Sequence, residues 1–268
     1  MKLAAMAGWY LLTSQAGWAG EVLVVAHRGA SGEAPENTIP AFQLAWKRGA
    51  DAIEGDFRLT KDGRVVCIHD GETKKVAKEN LVVSQSTLAE LRVLDVGGKK
   101  GKEFAGTGIP TIAEVFSTVP AGKKIFVEIK CGVEIIPALF AEVEKSKLKR
   151  EQIVFISFNA GVIGAIKNRH SAYQANWLCS VKRDRGGDLK PSLKKALATL
   201  RKTKANGMST SKDHVTKEYI DGLKAAGFGY HVWTVNDVET ASRFLQLGAG
   251  SITTDFPGAI KKVLEEDS

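Results

Sequence analysis

The sequence predicts a TIM-type (β/α)8 barrel, a closed ring of eight parallel strands surrounded by helices. Short apolar runs alternate with helical stretches along most of the chain, and such alternation is typical of parallel sheets. The length of 268 residues and the hydrophobic content of 44% suit one large domain better than two small ones. Several apolar runs also end in histidine or charged residues, and barrel enzymes carry their reactive groups at the carboxyl ends of the strands.

The predicted strands and helices follow one another in a regular order. The strand candidates are residues 22–27, 52–58, 124–130, 153–158, 173–180, 207–209, 230–235 and 251–254. The apolar residues 65–69 extend the second strand as a hairpin, because the Lys-Asp-Gly sequence before them is typical of a turn. Helices are predicted at residues 38–48, 87–94, 111–119, 193–202, 217–226 and 238–247. Pro40 suits the first turn of the first helix, and Asn37 is its predicted N-cap, with a contact to the site as the alternative.

One long stretch after the hairpin does not fit the barrel pattern. Residues 71–110 contain one convincing helix, and a loop rich in glycine and lysine follows it. We interpret this stretch as a small insertion in a barrel domain that covers residues 20–268.

The first 19 residues have the features of a signal peptide. Lys2 gives a short basic start, residues 3–12 form an apolar run broken by one glycine, and Gly17 and Ala19 place small residues where a signal peptidase cuts. The apolar run is shorter than the roughly 20 residues of a membrane-spanning helix, so we expect no stable membrane insertion. These features predict export to the periplasm or out of the cell. A helix that packs under the barrel is the alternative.

The net charge of +8 could indicate nucleic acid, an anionic membrane or an anionic substrate. The basic residues lie mostly in patches within helices and loops that a barrel turns to solvent, and no interleaving of aromatic and basic residues suggests a nucleic-acid groove. We therefore expect a small anionic substrate and no nucleic acid. The three cysteines, Cys67, Cys131 and Cys179, do not form a disulfide framework, and the first and last are expected in the core.

The strongest functional signal lies at the ends of the first two strands. His27 and Arg28 end the first apolar run, which places an acid/base group and a guanidinium at the barrel mouth. Glu54 and Asp56 lie on one face of the second strand, because strand side chains alternate with period two. Two such carboxylates repel each other unless a cation lies between them. A surface pair on an edge strand is the simpler alternative.

Two further strand ends carry groups of the same kind. His69 ends the hairpin strand, and Glu128 and Lys130 end the third predicted barrel strand on a shared face. Asp70 is interpreted as a turn residue or as a neighbour that supports the site, and so is Asp255 near the end of the chain. His170, His214 and His231 are not expected to be catalytic.

Ten short stretches, taken together, resemble the glycerophosphodiester phosphodiesterase family from about residue 22 to residue 257. They are His27-Arg28-Gly29-Ala30-Ser31, Pro35-Glu36-Asn37-Thr38 with Ala41-Phe42, Glu54-Gly55-Asp56, Thr60-Lys61-Asp62-Gly63, His69-Asp70, Leu88-Ala89-Glu90-Leu91, Ile109-Pro110-Thr111, Glu128-Ile129-Lys130, Trp233-Thr234-Val235-Asn236 and Thr253-Thr254-Asp255-Phe256-Pro257. Each stretch alone is a weak signal, but their order and their positions at strand ends are specific. The chain departs from the family pattern at Gly55, where a bulky apolar residue is usual, and in residues 71–75.

The resemblance implies a role for each residue of the site. His27 and His69 would be the acid/base pair, Glu54, Asp56 and Glu128 the ligands of one divalent cation, Mg²⁺ or Ca²⁺, Arg28 and Lys130 the groups that neutralise the phosphate, and Trp233 a wall of the pocket. The implied reaction is hydrolysis of a glycerophosphodiester to glycerol 3-phosphate and an alcohol. In the course proposed for the family, the glycerol 2-hydroxyl attacks first and water then opens the cyclic phosphate.

Two other functions remain open at this point. A related barrel could act on lysophospholipids as a lysophospholipase D, or on sphingomyelin, although we find no long apolar loops that would face a lipid. The chain could also be a ligand-binding barrel without turnover, but the intact histidines and all three carboxylates argue against that. Cys131 follows Lys130 directly, yet carboxylates favour a hard cation while a thiolate favours zinc, so Cys131 is not expected to be a ligand.

Overall fold

The computed structural model describes residues 22–266. In chain order, the strands are β1 Leu23–Ala26, β2 Ala52–Leu59, β3 Val65–Cys67, β4 Lys124–Ile129, β5 Ile153–Ser157, β6 Gln174–Cys179, β7 Lys182–Arg183, β8 Leu189–Lys190, β9 Gly207–Ser211, β10 Gly229–Trp233 and β11 Ser251–Thr254. The helices are α1 Ile39–Lys47, α2 Leu88–Arg92, α3 Ile112–Ser117, α4 Ile136–Lys145, α5 Ala160–Arg169, α6 Leu193–Thr203, α7 Lys217–Ala225, α8 Val238–Gln246 and α9 Pro257–Glu266.

Eight of the strands form a closed parallel barrel, in the order β1-β11-β10-β9-β6-β5-β4-β2. The ring closes because β1 also pairs with β2, with Val25 opposite Ala52 and Ala26 opposite Ile53. These strands are the eight predicted from the sequence, and the predicted barrel is confirmed. β3 pairs with β2 in antiparallel register, so the predicted hairpin is also present.

Some elements were not predicted from the sequence. The small β7–β8 hairpin projects from the chain after β6, and helices α4, α5 and α9 complete the ring of helices. Helix α5 contains Gly161 and Gly164, which lower its intrinsic helix propensity. It forms because its buried side chains pack on the barrel, and packing outweighs propensity in most helices of globular proteins.

The strands are buried on both faces, as expected for a parallel barrel with helices outside. One hydrophobic cluster lies between strands and helices and includes Val24, Phe42 and Ile53. A second cluster contains strand residues such as Val25 and Ala52 and no helix residue, so it fills the barrel interior. Successive strand residues therefore alternate between the two cores, and the inward face of each strand is known.

Residues 68–111 connect β3 to α3 and include the stretch predicted as an insertion. A small apolar cluster of their own stabilises them, centred on Ile68, Val83 and Leu91. The Nζ atom of Lys100 donates hydrogen bonds to the carbonyl oxygens of Ser31 and Gly32, at 2.8 and 2.9 Å, and so ties this segment to the loop after β1. None of the helices within residues 22–266 is long and apolar enough to span a bilayer. The predicted signal peptide, residues 1–19, lies outside the described residues.

The N-cap of the first helix differs from the prediction. Thr38 caps α1, because its hydroxyl accepts from the backbone N–H of Ala41 at 3.4 Å. Asn37 precedes the cap in the left-handed region, with φ of +59°, a conformation that asparagine tolerates better than most residues. Its side chain points toward the acidic residues instead, so the alternative interpretation, a contact to the site, is the correct one.

Candidate active site

Three buried carboxylates meet inside the barrel mouth. Glu54 and Asp56 share the inward face of β2 with Ala52, and Glu128 shares the inward face of β4 with Phe126. Asp56 and Glu128 are direct neighbours in the parallel register of the two strands. One oxygen from each of the three carboxylates lies within 4.8 Å of the others. The structure therefore brings together all three predicted ligands.

The electrostatics of this acidic cluster fit a bound cation. Burial, and then the charges of Asp56 and Glu128, raise the pKa of Glu54 well above its usual range. Burial and Asp56 likewise raise the pKa of Glu128. The Oε1 atom of Glu54 is buried and has no hydrogen-bond partner, although its Oε2 atom accepts from the backbone N–H of Arg28 at 2.9 Å. A divalent cation among these oxygens would satisfy the buried atom and remove the repulsion between the carboxylates.

Arg28 and Lys130 border the acidic cluster. The guanidinium of Arg28 lies 3.1 Å from Asp56 through Nε and donates to Glu36 from Nη1 at 3.0 Å. The ammonium of Lys130 donates to Glu128 at 2.7 Å and lies 3.6 Å from Asp56. Burial alone would raise the pKa of Asp56, but the charges of Arg28 and Lys130 outweigh it and lower that pKa. The cluster is thus flanked by the two cations predicted to neutralise a phosphate.

Asn37 fixes the orientation of Asp56 within the cluster. Its Nδ2 atom donates to Oδ2 of Asp56 at 2.8 Å, and its Oδ1 atom accepts from the backbone N–H of Asp56 at 3.0 Å. All of these groups are buried. Asn37 therefore leaves the other carboxylate oxygen of Asp56 directed at the centre of the site.

His27 lies just beyond β1 with an aspartate behind it. Its Nδ1 atom is 2.7 Å from Oδ1 of Asp255, which follows β11. The same carboxylate accepts from the hydroxyl of Ser31 at 2.8 Å and from the amide of Asn236 at 2.6 Å. Burial tends to raise the pKa of Asp255, but these hydrogen bonds, led by His27, outweigh it and hold the pKa well below its usual range. Asp255 is therefore a fixed anion behind His27.

His69 lies at the same mouth, next to Lys130. Its Nδ1 atom is 2.6 Å from Oδ1 of Asp70, and its Nε2 atom is 3.1 Å from Nζ of Lys130. Burial lowers the pKa of His69, although the charge of Asp56 opposes this. An ammonium can only donate a hydrogen bond, so Nε2 of His69 accepts, and the imidazole is neutral with its proton on Nδ1.

Trp233 ends β10 at the edge of the same mouth. Its indole ring contacts Phe158 edge-on, with ring centroids 5.5 Å apart, and the ammonium of Lys130 lies 5.7 Å above the Phe158 ring. The structure thus places the predicted pocket residue beside the cationic group of the site. Phe158, which was not singled out in the sequence, has 46% of its surface exposed and forms part of the same wall.

Gly55 shows why one departure from the family pattern leaves the site intact. A Cβ atom at this position would lie 3.2 Å from Sγ of Cys67 and from the ring of Phe42, and 3.3 Å from the ring of Phe57. These neighbours fill the space on the outer side of the barrel that a larger side chain at residue 55 would enter. The inward face with its two carboxylates is unaffected. Cys67 is buried in the outer core, as predicted.

Comparison with known proteins places the chain in a family. Residues 27–259 match the profile of the glycerophosphoryl diester phosphodiesterase family. The chain belongs to this family. A glycerophosphodiester phosphodiesterase of Caldanaerobacter subterraneus is 32% identical over 243 residues, which cover 88% of this chain and 95% of the relative. The chain is therefore assigned to the phosphoric diester hydrolases.

Two more distant relatives are informative about ligands. A phosphodiesterase of Oleispira antarctica, solved with the product sn-glycerol-3-phosphate, superposes with a TM-score of 0.83 at 25% identity, covering 91% of this chain and 96% of that one. A lysophospholipase D of Rattus norvegicus is 25% identical over 91% of this chain and 86% of its own length. The family thus includes proteins with different named substrates.

The sequence analysis assigned no firm role to several residues that support the site. Asn37, Glu36 and Asp255 contact the predicted site residues Asp56, Arg28 and His27 directly. Ser31 and Asn236 hold Asp255 in turn. All five lie within the stretches that carry the family resemblance, and that position was the available signal. Their individual contacts depend on loop conformation and were not readable from strand periodicity.

Proposed function

We propose that this enzyme hydrolyses glycerophosphodiesters to glycerol 3-phosphate and an alcohol, with one divalent cation and two histidines. The observation that carries the proposal is the buried acidic cluster between His27 and His69, in a chain that belongs to the glycerophosphodiester phosphodiesterase family. The product complex of the Oleispira antarctica relative supports glycerol 3-phosphate as one product.

Glu54, Asp56 and Glu128 would hold the cation. Three oxygen ligands favour a hard ion, Mg²⁺ or Ca²⁺, which tolerates further oxygen ligands from substrate and water. When bound, the ion acts as a Lewis acid that stabilises negative charge on the phosphate oxygens. Arg28 and Lys130 add two fixed positive charges beside the same position, where they favour the more highly charged transition state.

The hydrogen bonds of the two histidines suggest a division of labour. His69 carries an unprotonated Nε2 atom, which accepts from Lys130 in this structure. Once that ammonium turns toward the phosphate, Nε2 is the proton acceptor for the attacking hydroxyl. The fixed carboxylate of Asp255 lies 2.7 Å from Nδ1 of His27 and orients that ring, so we assign His27 as the proton donor for the leaving alkoxide. In the first step a P–O bond forms to the glycerol 2-hydroxyl, whose proton passes to His69, and the P–O bond to the alcohol breaks as His27 protonates the departing oxygen. Water then opens the cyclic phosphate to glycerol 3-phosphate, with the two histidines in reversed roles, so that both recover their starting protonation states.

A lysophospholipid is the second candidate substrate. Large apolar side chains are exposed in loops that follow the barrel strands, among them Phe158, Phe256 and Val133, with exposures of 46%, 39% and 48%. These side chains could contact an acyl chain while the phosphodiester occupies the mouth. Turnover of glycerophosphocholine and lysophosphatidylcholine, compared side by side, separates the two substrates.

We also propose that residues 1–19 direct export, which the N-terminal sequence of the mature protein tests.

Metal removal tests the cation. We expect dialysis against EDTA to abolish turnover and added Mg²⁺ or Ca²⁺ to restore it, because the buried carboxylates otherwise repel one another. Glu54→Gln and Asp56→Asn should each weaken metal affinity more than about tenfold in a titration calorimeter, with the circular dichroism spectrum unchanged. Glu134→Gln is the control, since Glu134 is an exposed acid in the loop after β4. Full activity after exhaustive chelation would contradict the metal assignment.

A further inference from the structure

Arg58 lies one strand repeat beyond the candidate ligands, on the same inward face of β2 as Glu54 and Asp56. Arg58 is not among the residues proposed to hold the cation, neutralise the phosphate or transfer a proton. Its guanidinium donates from Nε to the carbonyl oxygen of His69 at 2.9 Å and from Nη1 to the carbonyl oxygen of Lys130 at 3.3 Å. One side chain therefore connects the two backbone positions that carry the proposed base and its cationic neighbour.

The carbonyl groups of His69 and Lys130 lie just beyond the ends of the strands, where backbone pairing with β2 has stopped. His69 comes two residues after the end of β3, and Lys130 follows the last residue of β4. The final backbone bonds from β2 are those of Ile68 N–H to Asp56 and of Lys130 N–H to Phe57, at 2.8 and 3.1 Å. Beyond them, the guanidinium of Arg58 takes over from the backbone of β2.

The side chains of the same two residues, His69 and Lys130, must stay within hydrogen-bond distance of each other. Nε2 of His69 and Nζ of Lys130 are 3.1 Å apart, although the residues are 61 positions apart in sequence. A planar guanidinium bonded to both carbonyls at once limits how far the two backbone segments can separate. Gly71 adds to this arrangement, since a Cβ atom there would lie 3.8 Å from Nη1 of Arg58, so the loop after His69 packs on the guanidinium.

We propose that Arg58 is a positioning residue that holds His69 and Lys130 in their working arrangement. The inference rests on the proposed function, because it matters only if His69 transfers a proton. The competing role for an arginine at a phosphodiester site is direct binding of the phosphate. Arg58 directs two of its donors at protein carbonyls, whereas Arg28 lies directly against the acidic cluster.

Arg58→Gln is the primary test. We expect kcat on glycerophosphocholine to fall about 10- to 100-fold, because misplacement of a reacting group by about 1 Å costs on that scale. KM should stay within about threefold, and metal affinity should not change. Arg64→Gln is the matched control, since Arg64 is exposed in the turn of the same hairpin and should leave kcat unchanged. Arg58→Lys should fall between wild type and Arg58→Gln, because one ammonium cannot bridge both carbonyls; it carries the test if the glutamine variant does not fold.

A double-mutant cycle with His69→Ala separates positioning from the other roles. If Arg58 acts through His69, Arg58→Gln should lower kcat by less than about threefold in the His69→Ala background. A phosphate-binding arginine would instead raise KM, and a purely structural one would lower Tm; in either case the loss would be the same in both backgrounds, and the inference would be overturned. A slow His69→Ala with a normal Arg58→Gln overturns the role of Arg58 alone, whereas a near-normal His69→Ala overturns the proposed function.

Discussion

His27 and His69 lie at the same barrel mouth, and each is bonded through Nδ1 to an aspartate, yet the two arrangements are built differently. Asp255 reaches His27 from 228 residues further along the chain and is held by Ser31 and Asn236 as well. Asp70 is the sequence neighbour of His69, and its side chain is 42% exposed. The carboxylate is thus a long-range, fixed group on one side and a local, partly solvated group on the other.

The surroundings of the two imidazoles differ as well. Lys130 donates to Nε2 of His69, and burial lowers the pKa of this histidine, which favours a neutral imidazole. The carboxylate behind His27 is the more firmly held, because three hydrogen bonds to Asp255 outweigh burial and lower its pKa well below the usual range. Two similar histidine–aspartate pairs at one mouth therefore differ in how firmly the aspartate is held and in whether a lysine lies beside the imidazole. The proposed division into proton acceptor and proton donor rests on this difference.

Removing either imidazole should have the largest effect. We expect His27→Ala and His69→Ala each to lower kcat on glycerophosphocholine by roughly 10²- to 10⁴-fold, the usual contribution of general acid-base catalysis, without loss of metal binding. On a diester with a p-nitrophenol leaving group, His27→Ala should recover most of its activity, because that leaving group needs little protonation. His69→Ala should not recover.

The control for this pair is His214→Ala, an exposed histidine on the same side of the barrel, which should keep the wild-type rate on both substrates. Equal recovery of both variants would withdraw the assignment of acid and base while leaving the metal site in place. Recovery of His69→Ala alone would reverse the two roles. Near-normal rates for both on glycerophosphocholine would contradict two-histidine catalysis altogether.

Substitution of the two aspartates should lower kcat less than removal of the histidines, and the loss should be larger at Asp255 than at Asp70. Asp255→Asn removes the anion that stabilises protonated His27, and a hydrogen bond to a charged group is worth about 1.5–3 kcal/mol, so kcat should fall about 10- to 100-fold. Asp70→Asn should cost less than about tenfold, because water can replace an exposed carboxylate. Steady-state kinetics on glycerophosphocholine provide both values. A larger loss for Asp70→Asn would show that the local dyad is the more important one.

Much of this arrangement was predictable because side chains alternate between the two faces of each barrel strand. The apolar runs marked all eight barrel strands, and alternation placed Glu54 and Asp56 on one face of the second strand and Glu128 and Lys130 on one face of the third. The residues that end these strands then meet at one mouth as a consequence of the fold. Local sequence rules therefore predict the placement of the acidic side chains best, whereas the grouping of Glu54, Asp56 and Glu128 as one candidate ligand set came from the family resemblance.

Loop conformation was not predictable in the same way. Asn37 looked like a helix cap, but Thr38 takes that position and Asn37 adopts a left-handed backbone that aims its amide at Asp56. The pairing of His27 with Asp255 depends on the β1–β11 contact that closes the ring, which no local pattern encodes. Supporting contacts of this kind follow from the assembled structure and not from the segment that carries the residue.

Ser31 offers the finest test of the contrast between the two sides. Its hydroxyl donates to the same oxygen of Asp255 that bonds His27, at 2.8 Å, and the His69 side shows no equivalent donor to Asp70 among the hydrogen bonds of residues 22–266. We expect Ser31→Ala to lower kcat by no more than about fivefold, the scale of one hydrogen bond of about 1 kcal/mol. KM should be unchanged, and Ser117→Ala, a serine on α3 away from the mouth, is the control.

The effect of Ser31 should also depend on Asp255. If the serine acts only by holding that carboxylate, Ser31→Ala should cause no further loss in the Asp255→Asn background, because the group it orients is already neutral. Kinetics of the two single variants and the double variant on glycerophosphocholine measure this coupling. An equal loss in both backgrounds would mean that Ser31 contributes independently of Asp255, through the loop that Lys100 holds in place. Ser31 would then not act by orienting the Asp255 carboxylate beside His27.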